Sequence, residues 1–367
     1  MRKNRQRLLS VLLALCVSPF SLAEISIEQL IQQVNITEGP IAVGDLPRYS
    51  GAKKILIWDF VIDLEGIVDA AADVELIVVA SVADAMQYAG EVDAIVGFCD
   101  AELLASAPKL VWVQTYSAGV ERCAPVVEVS SGIVMMSNMQ KMGSPIIAEH
   151  AIAMMLSLSR NLPQFGRRMQ DASWERSPST TNGMTPIAGQ TLLVAGLGGV
   201  GTEVARLGAA LGMRVVGTRN SSRSAPDFVD YVGLSHELLE LAADADVVIN
   251  ALPLTDATRY IFDSEFFAAL KENALFVNVG RGQSVATDAL LAALQSGRLS
   301  GAGLDVTDPE PLPNDHPLWA LENVIITPHV AGTGGEFQRH RILLVENLRR
   351  YIAGEKLLNV VDPKKGY

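Results

Sequence analysis

Arg281, Glu310 and His329 are the residues of this sequence whose types and spacing are best suited to chemistry. An arginine pairs with a carboxylate through parallel hydrogen bonds, and a histidine, with a reference pKa near ~6.5, gives a proton to a developing alkoxide. A neighbouring carboxylate stabilises the imidazolium and fixes its orientation. We therefore expect Arg281 to anchor a carboxylate, and His329, paired with Glu310, to donate a proton.

Each of the three residues follows an apolar run of strand length. The runs span residues 274–279, 301–305 and 324–327. Open α/β sheets bind ligands beyond the carboxyl ends of their strands, so the three side chains should meet at one edge of a sheet. Each alone would more often be structural, but the set together favours catalysis. The other histidines lack such a setting and are expected to be structural: His150, His236, His316 and His340.

A glycine-rich turn follows the apolar run 191–195 and leads into an amphipathic helix. Its G-x-G-x-x-G pattern permits a tight turn, lets a pyrophosphate approach the backbone and allows close packing of helix on strand. The free N–H groups at the helix start then hold the phosphate charge. The residues expected to bind a dinucleotide here are Gly196, Gly198, Gly199, Val200 and Gly201.

The next strand ends at Gly217, where an NAD site normally presents an acidic residue to the adenosine ribose. The sequence has arginines and hydroxyl side chains instead. Because guanidinium groups form charge-assisted hydrogen bonds with phosphate, we expect Arg219, Ser221 and Arg223 to bind a 2′-phosphate. NADP is therefore predicted, with NAD as the alternative; a solvated basic loop is the competing interpretation.

Apolar runs of strand length alternate with helical stretches along most of the chain, which is typical of α/β folds with parallel sheets. A first series of runs covers 54–58, 74–80, 93–98, 110–114 and 132–136. A second series covers 191–195, 214–217, 247–250, 274–279, 301–305 and 324–327. We expect two domains, each with its own sheet.

The segments outside the two series suggest how the domains connect. Residues 145–174 predict a long helix that crosses between the domains, and residues 336–353 predict a final helix without a strand of its own, which should return to the first domain. The predicted division is 24–145 with 331–367 for the substrate domain and 146–330 for the dinucleotide domain. Residues 24–52 predict an added helix and lead-in without an assigned function.

Composition narrows the function classes. The chain has 367 residues, 49% of them apolar, which is enough for a sizeable core in two domains. Its net charge of −12 argues against a nucleic-acid or anionic-membrane surface. Beyond the N-terminus only Cys99 and Cys123 remain, without a Cys-x-x-Cys pair, so neither a metal site nor a disulfide framework is indicated. One disulfide between them stays open.

The N-terminus has the pattern of a secretory signal peptide. Basic residues 1–7 precede an apolar run over 8–17 and small residues at Ser21 and Ala23, so residues 1–23 are expected to be removed. An apolar N-terminal helix or membrane anchor is the alternative, although the run is shorter than the ~20 residues that span a bilayer. We expect an exported, periplasmic protein that is not membrane-bound once mature, or a cytoplasmic one if the signal does not work.

From about Lys54 to Asp362 the chain resembles the D-isomer-specific 2-hydroxyacid dehydrogenase family. The Arg281, Glu310 and His329 patterns and the phosphate loop carry the resemblance. It implies two Rossmann-like or flavodoxin-like domains with a discontinuous substrate domain, and a homodimer with contacts through 145–174. It also implies a substrate-carboxylate loop at Ser117, Ala118 and Gly119, where a tight turn needing glycine is the alternative. Further cofactor contacts are implied at Leu252, Pro253, Thr258, Val279, Gly280 and Asp305, the last with the nicotinamide carboxamide.

The predicted reaction is hydride transfer between NADP(H) and C2 of a small 2-oxo acid, giving a D-2-hydroxy acid. A related dehydrogenase of formate or phosphite is an enzymatic alternative. An exported solute-binding or cofactor-sensing protein without turnover is the alternative from another class. The signal peptide departs from the family pattern, because these enzymes normally work in the cytoplasm.

Overall fold

The computed structural model describes residues 25–174, 176, 183–220, 222–334 and 337–362. The expected signal peptide and the expected phosphate contact of Ser221 lie outside these residues. The strands are β1 (Lys54–Trp58), β2 (Glu75–Val79), β3 (Ala94–Gly97), β4 (Trp112–Thr115), β5 (Met135–Ser137), β6 (Thr191–Ala195), β7 (Arg214–Arg219), β8 (Tyr231–Leu234), β9 (Val247–Asn250), β10 (Ala274–Asn278), β11 (Leu299–Leu304) and β12 (Val324–Ile326).

The helices include several of a single turn and three long ones that matter for the site. They are α1 (Ile27–Val34), α2 (Asp59–Ile62), α3 (Ile67–Ala70), α4 (Val82–Met86), α5 (Ala101–Ala105), α6 (Val127–Ser130), α7 (Ser144–Ser159), α8 (Leu162–Gln170), α9 (Gly199–Ala210), α10 (Leu238–Ala242), α11 (Ser264–Ala269), α12 (Thr287–Gln295) and α13 (Gln338–Ala353). None of the described helices is both long and apolar enough to cross a bilayer.

Two parallel sheets confirm the predicted fold class. The strand order is β2-β1-β3-β4-β5 in one sheet and β12-β11-β10-β9-β6-β7-β8 in the other. Every residue of β6, β9 and β10 is buried, because helices cover both faces of a parallel sheet. The edge strand β8 was not predicted. Its four residues include Gly233 and an exposed Tyr231, so it has no apolar run to mark it.

The predicted crossing helix is two helices. α7 ends at Ser159, Asn161 takes a left-handed conformation with φ of 52°, and α8 begins with Pro163 in its first turn. Proline lacks an N–H and suits only the start of a helix, so the break is encoded locally. Buried residues of α7, among them Ala151 and Met155, share a core with β6 and β9, so this helix belongs to the larger sheet.

The final helix lies on the other sheet, which makes the substrate domain discontinuous. Leu343, Leu348 and Tyr351 of α13 are fully buried in one core with residues of β1 and β3. The Tyr351 hydroxyl donates to the backbone oxygen of Asp93 at 3.0 Å. Leu30 of α1 joins the same core, so both ends of the described chain complete the smaller sheet's packing.

Cys99 and Cys123 form a disulfide. Their Cα atoms are 6.4 Å apart, within the range for such a bond, and Cys123 is fully buried. Cys99 follows β3 and Cys123 lies in the segment after β4. The bond therefore fastens the segment that follows the substrate loop to the neighbouring strand end.

Candidate active site

His329 and Glu310 form the predicted pair. His329 Nδ1 lies 2.7 Å from Glu310 Oε1, and both side chains are open to solvent, with 52% and 43% of their surface exposed. Because Glu310 takes Nδ1, the other ring nitrogen, Nε2, is left to give a proton to a bound substrate. The backbone of His329 is left-handed, with φ of 54°, and its N–H donates to the backbone oxygen of Asp305 at 2.8 Å.

Asp305 holds the turn that carries His329. The side chain is only 3% exposed, and Oδ1 accepts hydrogen bonds from Thr327 Oγ1 at 2.6 Å and the Val330 amide at 2.9 Å. Oδ2 accepts from the Ala331 amide at 3.0 Å. This anchoring role was not predicted from the sequence. The expected contact of Asp305 with the nicotinamide carboxamide stays a prediction.

His150, which we expected to be structural, lies beside the same turn. Its Nε2 is 3.0 Å from Thr327 Oγ1 and 3.7 Å from Asp305 Oδ1. The residue comes from α7, far from Thr327 along the chain, so no local pattern could have placed it there. His150 thus lies between α7 and the Asp305 carboxylate, next to the turn that carries His329. Its structural role stays a prediction.

Arg281 is held by a carboxylate that the sequence did not reveal. Its Nε donates to Glu121 Oε1 at 2.6 Å, and its Nη1 donates to the backbone oxygen of Gly280 at 2.8 Å. The backbone of Arg281 is fixed as well, because its carbonyl accepts from Ser284 Oγ at 2.6 Å. Glu121 comes from the smaller sheet's domain and Arg281 from the larger one. The pair therefore joins the two domains at the arginine that is expected to bind the substrate.

The expected substrate loop lies against Arg281. A Cβ on Gly119 would overlap Arg281 Nη2 and lie 2.7 Å from Glu121 Oε2. Gly119 does not have a left-handed φ, so close approach of the arginine, and not a tight turn, explains the glycine. The second terminal nitrogen of the guanidinium thus faces this loop.

The substrate loop has backbone N–H groups to offer. The carbonyls of Ser117 and Ala118 accept from Thr115 Oγ1 at 2.9 Å and Asn138 Nδ2 at 2.8 Å, which fixes the loop's orientation. Among the described residues, no acceptor takes the amides of Ala118 and Gly119. These amides and Arg281 Nη2 together form a site suited to a carboxylate.

The phosphate loop has the geometry that its glycines predict. Gly196 has a φ of 92°, and a Cβ on Gly201 would overlap the Gly196 carbonyl, so the helix can approach the strand only with glycine there. A Cβ on Gly198 would meet nothing within 4 Å, so open space lies above this turn. Val200 follows in the first turn of α9, whose N-terminal amides face that space.

Two buried polar atoms near this loop lack partners among the described residues. They are Ser144 Oγ and Arg219 Nε. A Cβ on Gly199 would lie 2.6 Å from Ser144 Oγ, which places this hydroxyl at the start of α9. Orphan hydrogen-bonding groups beside an open, glycine-lined helix start fit the phosphates of a dinucleotide.

Leu252, one of the remaining expected cofactor residues, lies beside the phosphate loop, and the cofactor contacts of Pro253, Thr258, Val279 and Gly280 stay a prediction. Leu252 packs on Gly196, because a Cβ added to Gly196 would be 3.0 Å from Leu252 Cδ2. A Cβ added to Gly280 would be 2.9 Å from the Leu252 carbonyl oxygen. Thr258 Oγ1 donates to the Pro253 carbonyl at 2.6 Å and closes that turn. Val279, next to Gly280, is 9% exposed.

Arg219, the last residue of β7, and Arg223, four residues later, differ in their surroundings. Arg223 pairs with Glu237 at 2.7 Å and donates to the Tyr231 hydroxyl at 2.8 Å. Hydrogen bonds from the Leu234 amide and the Tyr231 hydroxyl, together with Arg223, lower the pKa of Glu237 to about 2, so it stays a carboxylate. Arg223 is thus already neutralised, whereas Arg219 retains an unpaired nitrogen. The described residues contain no cluster of three or more His, Cys, Asp or Glu that could hold a metal ion.

Comparisons with known proteins place the chain among dehydrogenases and reductases of one family. The family described as "D-isomer specific 2-hydroxyacid dehydrogenase, NAD binding domain" matches residues 152–331. A glyoxylate reductase of Korarchaeum cryptofilum is 33% identical over 267 residues, which are 72% of this chain and 79% of that protein. A glyoxylate/hydroxypyruvate reductase B of Citrobacter koseri is 32% identical over 264 residues, 71% of this chain and 81% of that protein.

A solved structure shares the fold of both domains. The D-isomer-specific 2-hydroxyacid dehydrogenase of Xanthobacter autotrophicus, in complex with NADPH and MES, is 29% identical, covers 87% of this chain and 100% of its own, and has a TM-score of 0.73. The family match and the two curated relatives lead to the same conclusion: this chain belongs to the D-isomer-specific 2-hydroxyacid dehydrogenase family.

Proposed function

We propose that this protein is an NADP-dependent reductase of small 2-oxo acids that forms D-2-hydroxy acids. The observation that carries the proposal is the Glu310–His329 pair, which is open to solvent in the domain that carries Arg281 and the phosphate loop. A binder without turnover would have no need of a proton donor with its own carboxylate partner. The solute-binding and cofactor-sensing alternative is therefore not favoured.

The residues of the site divide the reaction between them. Arg281 Nη2 and the amides of Ala118 and Gly119 hold the substrate carboxylate. A nicotinamide dinucleotide held at the phosphate loop would supply or accept the hydride at C2 of the substrate. His329 Nε2 protonates the carbonyl oxygen as negative charge develops on it, and Glu310 stabilises the imidazolium and keeps the ring in place. In the oxidative direction His329 takes the proton back.

Relatives support the substrate and cofactor assignment. The curated relatives are named as reductases of glyoxylate and hydroxypyruvate, and the Xanthobacter structure contains NADPH. Arg219 at the end of β7 stands where an acidic residue would face an NAD ribose. These points favour NADP over NAD and a small 2-oxo acid over a bulky one.

The test is oxidation of NADPH, and in parallel NADH, by the purified protein with glyoxylate, hydroxypyruvate, pyruvate and phenylpyruvate. We expect NADPH to be oxidised in preference to NADH, and His329→Ala to lower turnover about 10² to 10⁴-fold while nucleotide binding persists. If both nucleotides bind but no substrate is reduced, the function is wrong. Formate and phosphite, added with NADP, test the nearest enzymatic alternatives.

We also propose that the protein is exported. The signal-peptide pattern of residues 1–23 supports this, and so does the Cys99–Cys123 disulfide, since such bonds persist in oxidising compartments. Fractionation of cells that express the full chain, with N-terminal sequencing of the product, tests the proposal. Cytoplasmic protein that retains residue 1 would contradict it.

We further propose a homodimer formed around α8. This helix has no buried residue, and large apolar side chains are exposed along it and just after it, at Leu162, Met169 and Trp174. Exposed apolar patches of this kind mark interaction surfaces. Light scattering on a size-exclusion column should give twice the chain mass for the wild type and a lower value for Met169→Glu. A monomeric wild type would contradict the proposal.

A further inference from the structure

Lys141 lies in the segment between the two domains and has an unusual backbone. Its φ is 71°, in the left-handed region of backbone conformation that residues other than glycine rarely adopt. Strain of this kind persists only where the surrounding structure imposes it, and it is concentrated at functional sites. Lys141 is therefore a candidate functional residue.

The side chain of Lys141 lies against the phosphate loop. A Cβ on Gly199 would be 2.9 Å from Lys141 Cγ and 2.6 Å from Ser144 Oγ, so both residues pack on the first residue of α9. Ser144 is 4% exposed, and its hydroxyl has no partner among the described residues. A cation and an orphan hydroxyl thus border the helix start, where amides already favour an anion.

The ammonium of Lys141 is held but not neutralised. Its Nζ donates to the backbone oxygen of Asn35, the residue that ends α1. A carbonyl takes one of the three N–H bonds of an ammonium and leaves two for another acceptor. Asn35, in the N-terminal segment for which the sequence indicated no function, thereby orients the Lys141 ammonium.

A second cation lies near Lys141. Burial, and after it the positive charge of Arg219, lower the pKa of the Lys141 side chain. Arg219 itself has a buried Nε without a partner in the described part of the chain. Two like charges repel each other when they are partly removed from water, and an anion between them turns this cost into a stabilisation.

We propose that Lys141 and Arg219 form a two-cation site that binds a phosphate group of the dinucleotide, with Lys141 contributed from outside the Rossmann sheet and aimed by Asn35. The inference rests on the proposed use of NADP(H) and extends it to a residue that the phosphate-loop motif does not include. The phosphate is either the 2′-phosphate or the pyrophosphate, which share this chemistry. Ser144 Oγ is the adjacent donor.

Direct binding, measured by calorimetry with NADPH, NADH and 2′,5′-ADP, tests the proposal without turnover. Lys141→Met should weaken binding about tenfold, as expected for loss of one charge-assisted hydrogen bond. Loss confined to NADPH and 2′,5′-ADP would assign the 2′-phosphate, and equal loss for NADPH and NADH the pyrophosphate. Unchanged affinity for all three would overturn the proposal.

Two further variants separate binding from folding. Lys141→Gly removes the side chain and relieves the left-handed strain, so its Tm should equal or exceed that of the wild type while binding weakens as in Lys141→Met. Lys141→Arg keeps the charge and should retain most of the affinity. Lys109→Met, at an exposed lysine, is the charge-matched control and should bind like the wild type.

The outcome also separates this proposal from the function itself. If the wild type binds no nucleotide, the proposed function fails. If the wild type binds and reduces a 2-oxo acid but Lys141→Met and Lys141→Gly bind as tightly, only the two-cation site fails.

Discussion

Glu121 Oε1 lies 2.6 Å from Arg281 Nε, so a carboxylate of one domain orients the catalytic guanidinium of the other. Both side chains are about one-third exposed, at 32% and 30%, so solvent weakens the Coulombic attraction and the main effect is geometric. With Nε and Nη1 engaged, Arg281 can present Nη2 to the substrate loop in only one orientation.

Removal of this carboxylate should impair substrate binding. We expect Glu121→Ala to lower kcat/KM for glyoxylate about tenfold, with most of the change in KM, because Arg281 loses its orientation. Glu121→Gln keeps an acceptor for Nε and should lose less. Steady-state kinetics decide the matter: a lower KM in Glu121→Ala would mean that Glu121 competes with the substrate for Arg281.

A methyl group at Gly119 should displace the Arg281 guanidinium from the substrate loop. In Gly119→Ala the added Cβ overlaps Arg281 Nη2, so the arginine must move away from the substrate loop. We expect kcat/KM to fall at least as far as in Glu121→Ala, with NADPH affinity unchanged. Gly90→Ala, where a Cβ would meet nothing within 4 Å, is the matched control and should be active.

Loss of the proton donor or its partner should affect turnover more than binding. His329→Ala should reduce kcat about 10² to 10⁴-fold, and Glu310→Gln should reduce it by a smaller factor because the imidazole stays in place without its charged partner. Nucleotide binding, measured by NADPH fluorescence, should be retained in both. Exposed His236→Gln should have wild-type kcat, and a fall there would point to a general effect of histidine replacement.

Buried His340 should make the protein less stable in acid. Burial lowers the pKa of its imidazole to about 4, against about 6.5 in an unfolded chain. The unfolded state therefore binds a proton that the folded state does not, so the contribution of His340 is fully present above about pH 6.5 and is lost as the pH falls towards 4.

The magnitude can be measured by urea unfolding at pH 7 and pH 4.5. Such a pKa difference corresponds to about 3 kcal/mol in all. His340→Phe keeps an aromatic ring beside Tyr116, on which His340 stacks at 5.2 Å, and removes the titration. Its loss of stability over this pH range should be smaller by most of that amount. An unchanged loss would mean that other groups dominate.

The disulfide should stabilise the substrate domain. Closing the 24-residue interval between Cys99 and Cys123 contributes about 3 kcal/mol by chain entropy. Cys99→Ser is the better variant, because a serine at fully buried Cys123 would also place a polar group in the core. The Tm of Cys99→Ser should equal that of the wild type in dithiothreitol. If the reductant leaves the wild-type Tm unchanged, the bond does not contribute.

Most of the strands and the Glu310–His329 pair were predictable because their signals are local. Apolar runs mark buried parallel strands, and Arg281, Glu310 and His329 come three to six residues after the ends of β10, β11 and β12. β8 was missed because an exposed edge strand needs no apolar run. The break between α7 and α8 was missed because residues on both sides of Pro163 favour a helix, so the proline was not read as the start of a second one.

The residues that the sequence did not reveal share one property: each reaches the site from a distant segment. Glu121 and Lys141 come from segments far from Arg281 and Gly199 along the chain, and His150 comes from α7. Nothing near them in the sequence marks the contact, because the partner is brought by tertiary structure. Arg223 was predicted to bind a phosphate from its residue type alone, and the structure adds that it pairs with Glu237 and Tyr231; its phosphate contact stays a prediction.

The placement of α13 sets the order in which the chain acquires its structure during synthesis. Leu30, Ile55 and Trp112 share a core with Leu343 and Tyr351, so this core cannot close until the ribosome has made residue 351. The Rossmann sheet has all its strands by Ile326 and can form earlier, since domains fold as units while the chain emerges. The strands of the smaller sheet are therefore made first but become native last, and they stay open to chaperones or a translocation machine until α13 has been made.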